Sequence, residues 1–153
     1  MEQVTPDRAA LDEIVSTFFA AFVSGPDCEA RLDALPDLFL PEAVIVRTCG
    51  SEPLAYTVAE FIAPRRELLT SGALTGFREW PLTGRLEVYG DIAHWFGGYA
   101  KEGAQDGVAF TGRGMKTIQF VRTTAGWRIS AAAWDDEPPQ PTGTTQRSAT
   151  DGS

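Results

Sequence analysis

Apolar and polar positions divide this chain into an opening stretch of helical period and a closing stretch that alternates every second residue. Leu11, Ile14, Val15, Phe18, Phe19 and Phe22 recur at the spacing of one wide helical face. Thr5 is a fitting N-cap, Pro6 suits the first helical position and Asp7 complements the positive end of the dipole. Ser24-Gly25-Pro26 ends this helix, and a short second one is expected over Glu29–Leu35, stopped by Pro36. Ala43 to Arg47 reads as a short strand, with Leu54-Ala55-Tyr56 pairing back on it. Thr57 and Glu60 have the spacing of a capping box, so a third helix starts at Val58. Pro64 should kink it, and it should end near Ser71-Gly72.

From Leu74 the pattern is all strand. Pro81 implies a bulge, Gly90-Asp91 a two-residue turn and Gly97-Gly98 a second irregularity. That turn sets a register in which Tyr89 opposes Ile92, Val88 opposes Ala93, Glu87 opposes His94 and Leu86 opposes Trp95. Leu86, Val88, Ala93 and Trp95 then form the buried face. The segment Gly107–Glu137 reads as one long hairpin turning at Thr123–Gly126, the spine of a curved sheet. Helices first and strands last, without βαβ alternation, predict an α+β fold. The expected form is a cone-shaped, strongly bent antiparallel sheet, an α+β barrel of four long strands plus a short hairpin, closed by three helices.

Composition narrows the partners. The 153 residues suit one domain, expected over residues 1–137 with an unstructured tail over 138–153. Thirteen basic against 21 acidic residues give a formal charge of -8, which argues against nucleic acid and anionic membranes. No apolar run is long enough to span a bilayer, and the opening residues lack the basic start and apolar stretch of a signal peptide, so none is expected and a cytoplasmic location is. Cys28 and Cys49 lack metal-ligand spacing and His94 is the one histidine, so neither a metal nor another cofactor is expected.

Candidate chemistry depends on which side chains face inward. Ile118 and Phe120 look like core, matched by Trp127 and Ile129. Carried along both strands, that alternation turns Lys116, Ala131, Ala133 and Asp135 inward, with Lys116 over small alanines; a one-residue slip turns Lys116 to solvent. Asp135 then outranks its neighbour Asp136, since adjacent strand residues face opposite ways. Lys116 and Asp135 are the candidate catalytic pair, and Trp95, Tyr99, Tyr56, Phe18 and Phe22 the candidate ligand contacts. His94 falls on the outer face across from Glu87. Met115, Phe96 and Trp134 also fall there, which suggests a homodimer through that face.

The amphipathic first helix, the passage LPDLFLPEAVIV and the ending FVRTTAGWRISAAAWDDE resemble the nuclear-transport-factor-2-like superfamily, more narrowly its SnoaL-like and related bacterial branches of unassigned function. The resemblance covers about Ala9 to Glu137. It implies a cone of bent sheet with helices on one side, a pocket at the wide mouth and often a dimer. Such folds carry isomerase-like, cyclase-like and dehydratase-like enzymes as well as binding and association domains, so fold does not choose among them. The dehydratase-like pair of histidines is not present, and no Asp-Arg-Asp set of the epoxide-hydrolase-like kind matches. Asp135 with Tyr56 or Tyr99 can be cast as an isomerase-like base and oxyanion donor. Three readings therefore stand. The first is a cofactor-free enzyme that relocates a proton on an apolar, oxygen-bearing substrate. The second is a non-catalytic binding protein for a small apolar organic ligand, and the third a dimeric association domain.

Overall fold

In the computed structural model, which describes residues 5–138, three helices precede and interleave with six strands. Helix α1 spans Pro6–Ala20, and Thr5 caps it by accepting from the Arg8 amide at 3.1 Å. Helix α2 spans Cys28–Ala34 and leads through a 3-10 turn, Leu35–Leu38, into β1, Phe39–Arg47. After β2, Leu54–Tyr56, helix α3 runs from Val58 to Thr70 behind the full Thr57/Glu60 capping box. Pro64 lies inside α3, which continues through it. Strands β3 (Leu74–Tyr89), β4 (Ile92–Gln105), β5 (Val108–Thr123) and β6 (Gly126–Asp136) complete the chain.

The strand order is β2-β1-β6-β5-β4-β3. This corrects the expected cone. The sheet is open, because β2 ends one edge and β3 the other and the two never pair. It is also mixed, because β1 lies parallel to β6. An alternating pattern specifies which face of each strand is buried; it does not specify that the outermost strands meet. The three helices and the α+β class stand as expected. The unstructured tail expected after Glu137 falls, from residue 139 on, outside the described residues.

One face of the sheet is covered and the other open. Leu11, Val15, Phe18, Phe19 and Phe22 of the first helix and its exit sink into the core, as their period requires. Phe18 meets Phe19 and Phe22 edge-on, at centroid distances of 5.5 and 5.2 Å, and Phe19 meets Trp95 at 5.8 Å. The β3–β4 register read from the Gly90-Asp91 turn holds from Tyr89–Ile92 to Leu86–Trp95. Beyond it, Gly84 and Gly97 face each other beneath the Trp95 ring. A Cβ on Gly97 would lie 2.6 Å from that ring and from the Gly84 Cα, so close approach excludes any side chain there.

Candidate functional site

Between α3 and the covered face of the sheet lies a cavity of ≈ 430 Å³. Its walls are apolar: Phe61 and Leu68 come from α3, Phe77 from β3, Phe110 from β5 and Trp134 from β6. Into it project four cations, Arg47, Arg65, Lys101 and Lys116, and two carboxylates, Glu79 and Asp136. Ligand cavities commonly combine such walls with a few converging polar groups.

Two irregularities in strand pairing create this constellation. Strands β4 and β5 pair without a shift from Ile92–Val121 to Gln105–Val108, so every second residue of each keeps its face. Trp95, Tyr99 and Lys101 accordingly share the inner face with Phe120, Ile118 and Lys116. Strand β3 gains one residue against β4 between Pro81 and Gly84, close to where the proline predicts a bulge. That extra residue changes the parity and brings Glu79 inward. Strand β6 likewise gains one residue against β5. Phe120 pairs with Ile129 and Gln119 with Ala131, leaving Ser130 as the extra residue. Beyond Ser130 the inward set is Ala132, Trp134 and Asp136.

Each residue singled out in the sequence thus has a definite place. Lys116 lies on the inner face, 5% exposed, with its Nζ donating to Glu79 Oε2 at 2.9 Å. It pairs with Trp134 rather than with an alanine. Asp135, expected beside it, faces the opposite way: it is exposed and accepts from the Thr48 hydroxyl at 2.7 Å. Trp134, expected on the outer face, is a cavity wall. Tyr99 and Phe22 line the cavity. Phe18 is buried beneath it, with its ring centroid 4.8 Å from Lys116 Nζ. Trp95 is buried against Phe19, and Tyr56 packs half-buried at the edge of the core; neither lines the cavity. His94 pairs with Glu87 at 2.9 Å on the open face, as the register predicts.

Glu79, Arg65, Arg47 and Lys101 were not singled out in the sequence, and Asp136 was ranked below Asp135. For Arg65 the signal was present: it follows Phe61 by four residues and precedes Leu68 and Leu69 by three and four, so it shares their helical face. Its guanidinium stacks 4.0 Å over Phe61 and 5.2 Å from Trp134, and Nη1 donates to the Phe61 carbonyl at 2.9 Å.

The electrostatics follow from burial and pairing. Burial pushes the Lys116 ammonium below the ordinary lysine range, and the Glu79 carboxylate opposes that shift. Four rings, those of Phe18, Phe19, Tyr99 and Trp134, lie within 4.8 to 5.7 Å of Nζ and supply further favourable contact for the charge. Asp136 accepts from the Tyr99 hydroxyl and, at 3.0 Å, from Lys101 Nζ. Burial alone would raise its pKa, but these donors outweigh burial and hold it below the usual carboxylate value. Burial, then the hydrogen bond to Asp136, pushes the Tyr99 hydroxyl well up, so it stays protonated. Among the described residues no group of three or more His, Cys, Asp or Glu is placed to hold a metal ion. None of their helices is long and apolar enough to cross a membrane.

No protein-family model matches the sequence, and no curated protein is similar to it. Solved structures do match. A candidate aromatic ring hydroxylase from Novosphingobium aromaticivorans superposes with a TM-score of 0.70 at 22% identity, over 87% of this chain and 90% of its own. A candidate Ca/calmodulin-dependent kinase II association domain from Exiguobacterium sibiricum gives 0.69 at 12% identity, over 92% and 99%. A nuclear transport factor 2-like superfamily protein from Salmonella enterica gives 0.67 at 12%, over 90% and 96%. One is named for an enzyme and another for an association domain, so the likeness conveys architecture and leaves activity to the site. The chain thus has the fold of these nuclear-transport-factor-2-like structures, the architecture its sequence resembles.

Proposed function

We propose that the protein binds a small, largely apolar, oxygen-bearing molecule in the cavity beneath α3. The observation that carries this reading is the cavity's division of labour: aromatic and aliphatic walls around a cluster of fixed charges, in ≈ 430 Å³. The geometry favours binding over proton transfer. Each cavity carboxylate is engaged by its own lysine, Glu79 by Lys116 and Asp136 by Lys101. Tyr99, which an isomerase-like site would use as oxyanion donor, already donates to Asp136. Asp135 lies on the other face and reaches no atom in this cavity.

A thermal-shift screen of small aromatic and alicyclic acids, ketones and alcohols tests the reading. At least one class should raise the melting temperature of the wild type. It should not raise that of Leu68→Trp, which fills the cavity while keeping an apolar wall. A screen with no shift in the wild type, or equal shifts in both proteins, removes the cavity as a binding site.

A second reading concerns the open face, where Ile92, Phe96 and Met115 are 59%, 54% and 43% exposed on adjacent strands. We propose that two copies meet there through β4 and β5. Sedimentation should show a dimer at micromolar concentration that Phe96→Glu converts to monomer. A monomeric wild type would remove this reading and leave the first untouched.

A further inference from the structure

We infer that the cavity selects an organic carboxylate, an apolar body of one or two rings whose acid group is received by Arg65 and Arg47. This rests on the proposal that the cavity takes a ligand, and it names the chemical class. The argument starts from a charge inventory. Lys116 and Lys101 are each matched by a carboxylate at 2.9 and 3.0 Å, so the two pairs are internally neutral. Among the described residues, Arg47 and Arg65 have no carboxylate within ion-pair distance, yet both line the cavity. The cavity therefore holds an excess of two positive charges inside a chain whose formal charge is -8. That excess is local, and no surplus of basic residues in the composition accounts for it.

The posture of Arg65 points the same way. Its guanidinium lies over Phe61 and beside Trp134 and spends one N–H on the Phe61 carbonyl. A guanidinium has five N–H donors in a rigid fork that matches a planar carboxylate. Burial pulls the Arg65 guanidinium below its ordinary range; the more distant Glu79 and Asp136 oppose that shift without outweighing it, and Arg47 adds a like charge, so an arriving anion in direct contact relieves what remains. Arg47 takes its place from the alternation of β1, where Ala43 and Ile45 are buried and Arg47 follows them on the same face at the strand's end. Phe61, Phe77, Phe110 and Trp134 offer flat surfaces to a ring system. Glu79 and Asp136 face the same space and would repel a second negative group, which favours a monoanion.

The test compares three ligands of one shape: naphthoate, its neutral carboxamide and naphthylmethylammonium. Affinities are measured by calorimetry on the wild type, Arg65→Gln and Arg47→Gln. Naphthoate should bind the wild type roughly tenfold or more tighter than the amide, since charge-assisted bidentate bonds exceed neutral ones. That preference should fall to a few-fold in Arg65→Gln and weaken in Arg47→Gln. Arg65 also packs against Phe61, so if Arg65→Gln fails to fold, Arg47→Gln alone decides. Equal binding of acid and amide, tightest binding of the ammonium, or a preference unchanged in the folded variants overturns the inference while the cavity remains a binding site. If none of the three binds and the wider screen is also silent, the cavity reading falls and takes this one with it.

Discussion

Strands β4 and β5 form an unshifted ladder, whereas β3 and β6, which flank them, each take up extra residues. The difference sorts the charges of the cavity. Its two lysines come from the regular pair, Lys101 from β4 and Lys116 from β5. Its two carboxylates come from the bulged flanks, Glu79 from β3 and Asp136 from β6. Each ion pair reaches across the intervening strand, Lys116 over β4 to Glu79 and Lys101 over β5 to Asp136. Regular pairing holds the framework in register. The bulges re-aim single side chains into it, a use of bulges common beside functional sites.

The most damaging way to break this contrast is to make β6 regular. Deleting Ser130 removes the extra residue and turns either Trp134 and Asp136 or Trp127 and Ile129 to the wrong face. Trp127 and Ile129 are buried, and Trp134 meets Phe61 edge-on at 5.7 Å, so either outcome exposes core. The expected loss exceeds about 4 kcal/mol in urea unfolding, beyond the ordinary range of single changes. Ser130→Ala, which keeps the count of residues, should cost less than about 0.5 kcal/mol. Comparable losses in the two would mean that the hydroxyl matters and the bulge does not.

Next in size is the loss of the carboxylate that β3 delivers. Glu79→Gln leaves Lys116 buried without its counter-charge, and breaking a buried pair in this way costs about 3–5 kcal/mol. The pH dependence gives the sign. The folded pKa of Lys116 is already below the ordinary lysine value of 10.5, and the substitution lowers it further. Below 10.5 the unfolded chain then holds a proton that the folded chain has lost, so the deficit of Glu79→Gln should shrink as pH rises toward that value. Replacing both partners, Glu79→Gln with Lys116→Met, should recover most of the loss at neutral pH. A double variant no better than the single would show that the charge of Lys116 is not the source of the penalty.

Much of the architecture was readable because large apolar side chains mark a face. The period of Leu11 to Phe22 fixed the first helix, the Thr57/Glu60 box fixed the start of α3, and the Gly90-Asp91 turn fixed a register that the structure keeps. Reading failed where the marks disappear. Ser130-Ala131-Ala132-Ala133 contains no large residue, so a one-residue insertion there changes no visible pattern. Alternation carried across it selected Asp135 where the fold presents Asp136. On β3 the Pro81 bulge was legible, but its consequence for Glu79 was a matter of parity that required the partner strand. Closure of the sheet was misjudged for a different reason. Pairing between the first and last edges depends on how far the sheet turns, and no local pattern encodes that. The parallel placement of β1 beside β6 is equally non-local, joining residues such as Ile45 and Ala132 that lie far apart in sequence.

The smallest effect separates position from chemistry at the second bulge. In Tyr99→Phe the ring keeps its buried place on β4, but Asp136 loses one of its two side-chain O–H and N–H donors. A hydrogen bond to a charged acceptor contributes about 1.5–3 kcal/mol, and the low end applies here because Lys101 remains. The folded pKa of Asp136 lies below the ordinary aspartate value of 3.8, because the bonds from Tyr99 and Lys101 outweigh burial. A carboxylate so depressed gives stability that is present above 3.8 and lost as pH falls through its folded value. Removing the Tyr99 hydroxyl raises that folded value, so the variant has less to lose in acid. Wild type and Tyr99→Phe should therefore differ most at neutral pH and converge below 3.8. Urea unfolding at both ends of that range decides it. A gap that stays constant with pH would mean that the hydroxyl serves packing alone, and that the turn of Asp136 into the cavity owes its stability to Lys101 and the bulge.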